Sequence, residues 1–245
     1  MNGTTARRLT GVLLILTPVA FNLLFTLLSV TFEYPDILRE PAGYVLERFD
    51  AGGAALVATW YGFTLTAVLF VPLAVLVHRV LAREDQPFYL GVATTFGVVA
   101  GVVQFLGLVR WPFLVPYLAD AYTDPAAGEA TRDSVTVVFD AFNQYAGVAV
   151  GEHLGYLFTG LWTALISLSV FRSGRFGRFG RWFGLFGLGS AAGILVGTLK
   201  FAGLAVAADV VTVAYILWSV WLLAFGIVLL RSVPPGDATT KTPTS

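Results

Sequence analysis

A glutamate and a histidine stand side by side inside an apolar run, V-A-V-G-E-H-L-G-Y-L-F, from Val148 to Phe158. A carboxylate next to an imidazole can move a proton or hold a charged group. Two more ionisable residues, Arg110 and Lys200, sit in apolar stretches of their own. At the centre of a bilayer each such charge costs about 2.5–3.5 kcal/mol on insertion scales, so charges there are functional candidates by default. Their depths are comparable. At ~1.5 Å per residue, Arg110 lies about 31 Å from the start of its run at Tyr89, Glu152 about 30 Å from Arg172, and Lys200 about 27 Å from Trp182. All three should reach the outer third of the membrane. On a helical wheel Lys200 shares the stripe of Gly189 and Gly193, while Glu152 lines up with Tyr156 and Thr159 beside Gly151. Asn22, Tyr61 and Gln104 offer polar groups from the first three runs, and Pro112, just after Arg110, should kink its helix.

The elements that would position these residues follow from composition. The chain has 245 residues, 57% hydrophobic and only 12% charged. Soluble domains average about 25% charged, so this chain lacks the polar surface to be wetted all round. A spanning helix needs roughly 20 mostly apolar residues. Six segments qualify: Leu9–Val30, Gly53–Val77, Tyr89–Leu118, Val148–Phe171, Trp182–Leu204 and Val210–Leu230. The first follows Arg7-Arg8, is longer than a signal-peptide core and lacks a small-residue cleavage site after it, so it reads as a retained signal anchor.

Lys and Arg sort by side. One side takes Arg7, Arg8, Arg79, Arg83, Arg172, Arg175, Arg178, Arg181, Arg231 and Lys241; the other takes only Arg39, Arg48 and Arg132, together with most of the acids. The expectation is an all-α polytopic protein of the plasma membrane with both termini cytoplasmic. Residues 1–233 form one six-helix domain and 234–245 a disordered cytoplasmic tail. Tyr34–Leu38 and Tyr44–Phe49 read as short interfacial helices on the outer side, and Arg132–Tyr145 as a helix leading into the fourth span. The arginine-rich loop Arg172–Trp182 reads as an anchor to anionic headgroups rather than a nucleic-acid site.

Glycines recur every fourth residue at Gly97 and Gly101, at Gly147, Gly151 and Gly155, and at Gly189, Gly193 and Gly197. Small residues at this spacing let helices approach closely in lipid. Ser190, in G-L-G-S-A-A-G, reads as one more small packing residue. There is no Cys, and the two histidines, His78 and His153, fall a full membrane thickness apart, so no metal site, haem or other cofactor is expected.

Three segments carry a resemblance: Y-P-D-I-L-R (Tyr34–Arg39), R-W-P-F-L-V-P-Y-L-A (Arg110–Ala119) and G-E-H-L-G-Y-L (Gly151–Leu157). They resemble an uncharacterised prokaryotic membrane family, the domain-of-unknown-function family numbered 4386. The likeness runs from the first span to the sixth. It implies a six-span helical protein and carries no activity or cofactor with it.

Three functions stay open. In the first, Arg110, Glu152, His153, Lys200, Tyr156, Gln104 and Asn22 line an outward polar pocket. Its two cations and one carboxylate would favour a small anionic or amphipathic ligand, bound or transported. In the second, a membrane enzyme acts on a lipid or isoprenoid at the outer face, with Glu152 or His153 as base and Arg110 and Lys200 holding a phosphate. In the third, the charges pair to serve folding or a partner protein. The lipid bilayer is the one partner common to all three.

Overall fold

The computed structural model describes residues 3–82, 87–173, 177–204 and 206–232. In hydrocarbon every backbone N–H and C=O must be satisfied within the protein, which restricts spanning segments to helices or closed barrels. The described residues form helices throughout: α1 (Gly3–Phe32), a 3-10 turn at Asp36–Arg39, α2 (Ala42–Leu81), α3 (Pro87–Leu108), α4 (Arg110–Phe113), α5 (Val115–Thr123), α6 (Glu129–Phe142), a π-helical segment Asn143–Leu154, α7 (Gly155–Arg172), α8 (Gly177–Val196), a 3-10 turn Gly197–Ala202, and α9 (Val206–Arg231). Joined where they run on, they give six helices long and apolar enough to cross a membrane. The protein is an integral membrane protein.

Six antiparallel passes bring Gly3 and Arg231 to the same end of the bundle. That end also holds Arg79, Arg172, Arg178 and Arg181. It is locked by Arg7, whose Nε donates to Leu229 O at 2.9 Å. A guanidinium there answers the unpaired carbonyls of the last turn of α9. His78 ties α2 to α3 nearby, its Nδ1 2.8 Å from Thr94 Oγ1. Arg83, Arg175, Lys241 and the tail 234–245 lie outside the described residues.

The opposite, acidic end is capped rather than merely linked. Ile37, Val45, Leu46, Phe49, Leu118, Val135 and Phe139 are all buried. They form one apolar cluster with Phe32, Trp60 and Trp111. The Trp60 and Trp111 rings stack at 4.4 Å and 8°. The short helices therefore do not simply float on an interface: their apolar faces close the bundle. α2 bends into this cap at Gly53, whose φ of 54° is a conformation open chiefly to glycine. A second core, around Trp162, Trp218, Trp221, Phe70 and Phe183, fills the basic half.

The third pass runs from Phe88 to Thr123 and is irregular around Pro112. Val109 and Leu114 flank Arg110-Trp111-Pro112-Phe113, keep right-handed helical backbone angles and still donate four residues back, to Phe105 O and Arg110 O at 2.8 Å. The fourth pass carries the larger departure, since the residues around Glu152 are π-helical, not α-helical.

Most of the glycine spacing does bring backbones together. A methyl on Gly97 would come within 2.5 Å of Trp162 and 2.6 Å of Ala74, and one on Gly193 within 2.7 Å of Ala214. Gly189 differs: it is exposed and faces open space. Besides Gly193, the close contacts of α8 are made by Gly184 and Gly187, against Ser167, Phe171 and Trp221. Ser190 is buried and returns its hydroxyl to Phe186 O at 3.1 Å within its own helix. Gly97→Ala should lower unfolding stability by about 1–3 kcal/mol, because the fully buried Trp162 cannot step aside without strain, while Gly189→Ala should leave it unchanged. Thermal unfolding of the two variants in detergent, followed by tryptophan fluorescence, checks the contrast.

Candidate functional site

Two helices meet through a mismatched ladder. On α3 and the turn after it, Gln104, Gly107 and Arg110 fall three residues apart. On the fourth pass, Gly155, Gly151 and Gly147 fall four apart. They pair in order. A methyl on Gly155 would come 3.0 Å from Gln104 Cγ, one on Gly107 2.5 Å from Gly151 Cα, and one on Gly147 2.5 Å from an Arg110 guanidinium nitrogen. Three residues of α-helix advance about 4.5 Å. A π-helix has more residues per turn and rises less per residue, so a four-residue step on it can keep pace. Gly147 and Gly151 lie in the π-helical segment and Gly155 opens α7; all three face the α3 side.

This ladder seats Arg110. Its guanidinium donates to Gly107 O and, at 2.9 Å, to Asn143 Oδ1. It also lies 5.2 Å from the Trp111 ring centroid. Asn143 begins the π segment and was not among the residues expected at the site. Arg110 therefore does not form a triad with Glu152 and Lys200. It contacts the fourth pass nine residues before Glu152, nearer the acidic end, and acts on Glu152 through charge at a distance.

Glu152 and Lys200 do meet, with Lys200 Nζ 2.5 Å from Glu152 Oε2. Their side chains keep 27% and 34% of their exposure, so the pair is half open. Lys200 stands on the 3-10 turn that ends α8, and Gly203 behind it turns the chain with a φ of 81°. Tyr156 lies one turn below Glu152, close enough for its hydroxyl to hydrogen-bond the carboxylate. Lys200 Nζ is 5.7 Å from the Tyr156 ring centroid. The polar path continues inward: Tyr156 and Tyr215 rings are 6.0 Å apart, Tyr215 lies beside Thr159, and Gln104 Nε2 donates to Thr159 Oγ1 at 2.9 Å.

The other expected residues sit at the margin. His153 turns from the pair to meet Phe201 edge-on, ring centroids 5.3 Å apart. Asn22 makes its bonds at the seam of α1 and α9, to Pro18 O at 2.7 Å and Ser219 Oγ at 3.0 Å. Tyr61 faces away and lines an apolar cleft of about 510 Å³ with Ala54, Val57, Ala58, Pro112 and Phe113. Neither that cleft nor the small niche beside Tyr89 and Arg172 includes Glu152 or Lys200. Among the described residues no three of His, Asp and Glu gather closely enough to hold a metal ion.

One further residue reaches the cluster from outside the spans. Tyr34, in the connection between the first two passes, packs against Phe25, Trp60 and Phe63. It feels both Glu152 and Arg110. With Arg110 and Glu152, it stands within one of the three segments of shared sequence character noted above, and those segments now converge on one region of the fold.

The family model described as Domain of unknown function (DUF4386) matches residues 9–226. The chain belongs to this family. No curated protein and no solved structure matches it. In this DUF4386 member the matched region contains the whole cluster, from Asn22 to Tyr215, and reaches into all six passes.

Burial first, then the Glu152 carboxylate, pushes the Tyr34 phenol up to about 12, against a smaller opposing pull from Arg110. The folded protein therefore holds this proton in a range where the unfolded chain, with its phenol near pH 10, has lost it. Stability from this group is complete below about pH 10 and falls as the pH rises from there toward about 12. Tyr34→Phe should make alkaline unfolding less steep over that window, measured by unfolding midpoints at stepped pH beside the parent protein.

Proposed function

We propose that the protein binds or transports a small anionic or amphipathic ligand at the Glu152–Lys200 pair. The carrying observation is the half-open ion pair itself, with side chains 27% and 34% exposed. A closed pair would have no face to offer. Arg110 and Lys200 outnumber Glu152, which leaves the region positive and suited to an anion. The pair also stands where two passes depart from regular α-helix: the π segment and the 3-10 turn before Gly203. Non-regular backbone at membrane depth is a common seat for ligands in transporters, and π-helical turns often mark functional sites.

In this reading Lys200 meets the anionic group, Glu152 holds Lys200 when the site is empty, and Tyr156 steadies the carboxylate. Arg110 biases the field from one side, and His153 with Phe201 forms the rim. The site faces outward, in the plasma membrane, with both termini cytoplasmic. The sorting of arginines to one end supports this orientation. The chain has no Cys, so single cysteines can report sidedness directly. In intact cells Asp133→Cys should react with an impermeant maleimide, and Arg178→Cys should react only after permeabilisation. The reverse pattern would invert the orientation.

A second reading rests on the directness of the same contact. Two charges paired with each other can be a folding device whose partners serve only each other. Breaking one side of a buried pair costs about 3–5 kcal/mol, and replacing both is often tolerated; half-exposed groups lose less than this because solvent screens them. Glu152→Gln, Lys200→Met and the double variant separate the readings. For a ligand site, each single variant stays folded but loses binding of small anions in a panel run by isothermal calorimetry, and the double variant does not recover it. For a folding device, the single variants lose folded yield, the double variant regains it, and binding never enters.

A further inference from the structure

We infer that the ligand of the Glu152–Lys200 pair is an anionic glycerophospholipid, which reaches it sideways from the leaflet at the acidic end. This rests on the reading of the pair as a ligand site and names what enters it.

The observation is the surface around Lys200. The α8–α9 connection begins at Lys200 and continues Phe201, Ala202, Gly203 and Leu204, with Val206 opening α9. Lys200 is half-buried, while Phe201, Ala202, Gly203, Leu204 and Val206 are exposed, Phe201 at 76%, Leu204 at 43% and Val206 at 54%. Leu199, just before, is 44% exposed. An exposed run this apolar is unsuited to a loop in water, and it is suited to a turn that ends within the membrane. The other elements at this end say the same. The fourth pass and its leading helix make 44 continuous residues, Glu129–Arg172. As regular α-helix that would be about 66 Å, against roughly 30 Å of hydrocarbon. It must project well beyond the bilayer, and α6 does so as part of the cap, with Val135 and Phe139 buried against Trp111 and its neighbours. The α8–α9 turn stops lower. Phe201 meets His153, inside the fourth pass, while that pass runs on from there to Glu129.

Lys200 thus presents an ammonium in the middle of lipid-facing apolar surface, below the cap. A free anion arriving from water would have to cross that surface. A phospholipid already has its phosphate near this depth and its chains alongside Leu199, Phe201 and Leu204. The chemistry is complementary at both ends: a cation for the phosphate and apolar side chains for the glycerol and acyl region. Glu152 then acts as the resting partner that the phosphate displaces. A net negative headgroup is favoured over a zwitterionic one, because a choline would bring its own cation toward Arg110 and Lys200.

The test places the full-length protein in nanodiscs of phosphatidylcholine with phosphatidylglycerol, then reads the lipid retained after release into the gas phase by native mass spectrometry. Retained phosphatidylglycerol should exceed its share of the nanodisc by about tenfold. Lys200→Met should abolish that excess and Lys200→Arg should keep it. Leu204→Glu, which leaves the ion pair intact and places a charge on the turn, should also abolish it. Arg178→Gln with Arg181→Gln, at the basic end, should not. The same proteins are titrated with inorganic phosphate by calorimetry. Lys200-dependent binding of phosphate without a phosphatidylglycerol excess overturns the lipid inference and leaves the ligand site standing. An excess that survives Lys200→Met, or follows the basic-end arginines, overturns the inference as well. Binding of neither probe at Lys200 removes both. If Lys200→Met fails to fold, the contrast between Lys200→Arg and Leu204→Glu decides.

Discussion

A carboxylate and an ammonium placed at membrane depth each carry a desolvation cost of several kcal/mol, and their mutual attraction offsets it only where they can touch. That requirement constrains this bundle more than any other single contact. Glu152 is carried by the fourth pass and Lys200 by the end of the fifth. For Nζ to come within 2.5 Å of Oε2, α8 must end where it does, its last turn must tighten to 3-10, and Gly203 must reverse the chain at once. Gly197 lets this turn lie against Tyr156 and Val211, where a methyl would come within 2.7 and 2.8 Å. The position of the α8–α9 turn, low against the fourth pass, is thus tied to the ion pair.

The same pass has a second obligation on its opposite face. Gly147, Gly151 and Gly155 must follow Arg110, Gly107 and Gln104 while Glu152 looks toward Lys200. Between Asn143 and Leu154 the pass is π-helical, and in this geometry both sets of contacts are made. The absence of side chains at the glycines is what makes the wider turn compatible with so close a neighbour. The π segment holds the arginine through Asn143 on one side and meets the lysine through Glu152 on the other.

The passes themselves were legible because the signal is long: twenty or more apolar residues leave few alternatives, and all six recur in the structure. The pairing of Glu152 with Lys200 was legible from depth, since distance along a helix depends only on residue count. Facing was less so. The wheel that put Gly189 inward assumed α8 packs along one straight stripe, whereas Gly184 and Gly187 make the contacts together with Gly193. The π segment was hidden because four-residue glycine spacing is also the signature of tight α-helical packing. Asn143 and Tyr34 were hidden for another reason. Asn143 matters through Arg110 on a different pass, and Tyr34 stands in a connection whose aromatic neighbours Phe25, Trp60 and Phe63 come from the first and second spans. Neither has a local pattern to betray it.

The two ends of the bundle are built on different principles, and this bears on where function lies. The basic end is held by backbone satisfaction: Arg7 on Leu229 O and His78 beside Thr94. Such contacts fasten helix ends and leave little to move. The acidic end is held by aromatic packing in its cap, Trp60 on Trp111 with Phe32, Phe49 and Phe139 around them. Beneath that cap lies a polar path from Arg110 and Tyr34 through Glu152 and Tyr156 to Gln104. The cap's rings pack in stacked and edge-on pairs, and the hydrogen bond beneath it, from Gln104 to Thr159, is made between side chains of the path itself. The polar groups are left to one another. Among the described residues the Glu152–Lys200 contact is the ion pair beneath the cap, and it stays partly open at the foot of an apolar turn.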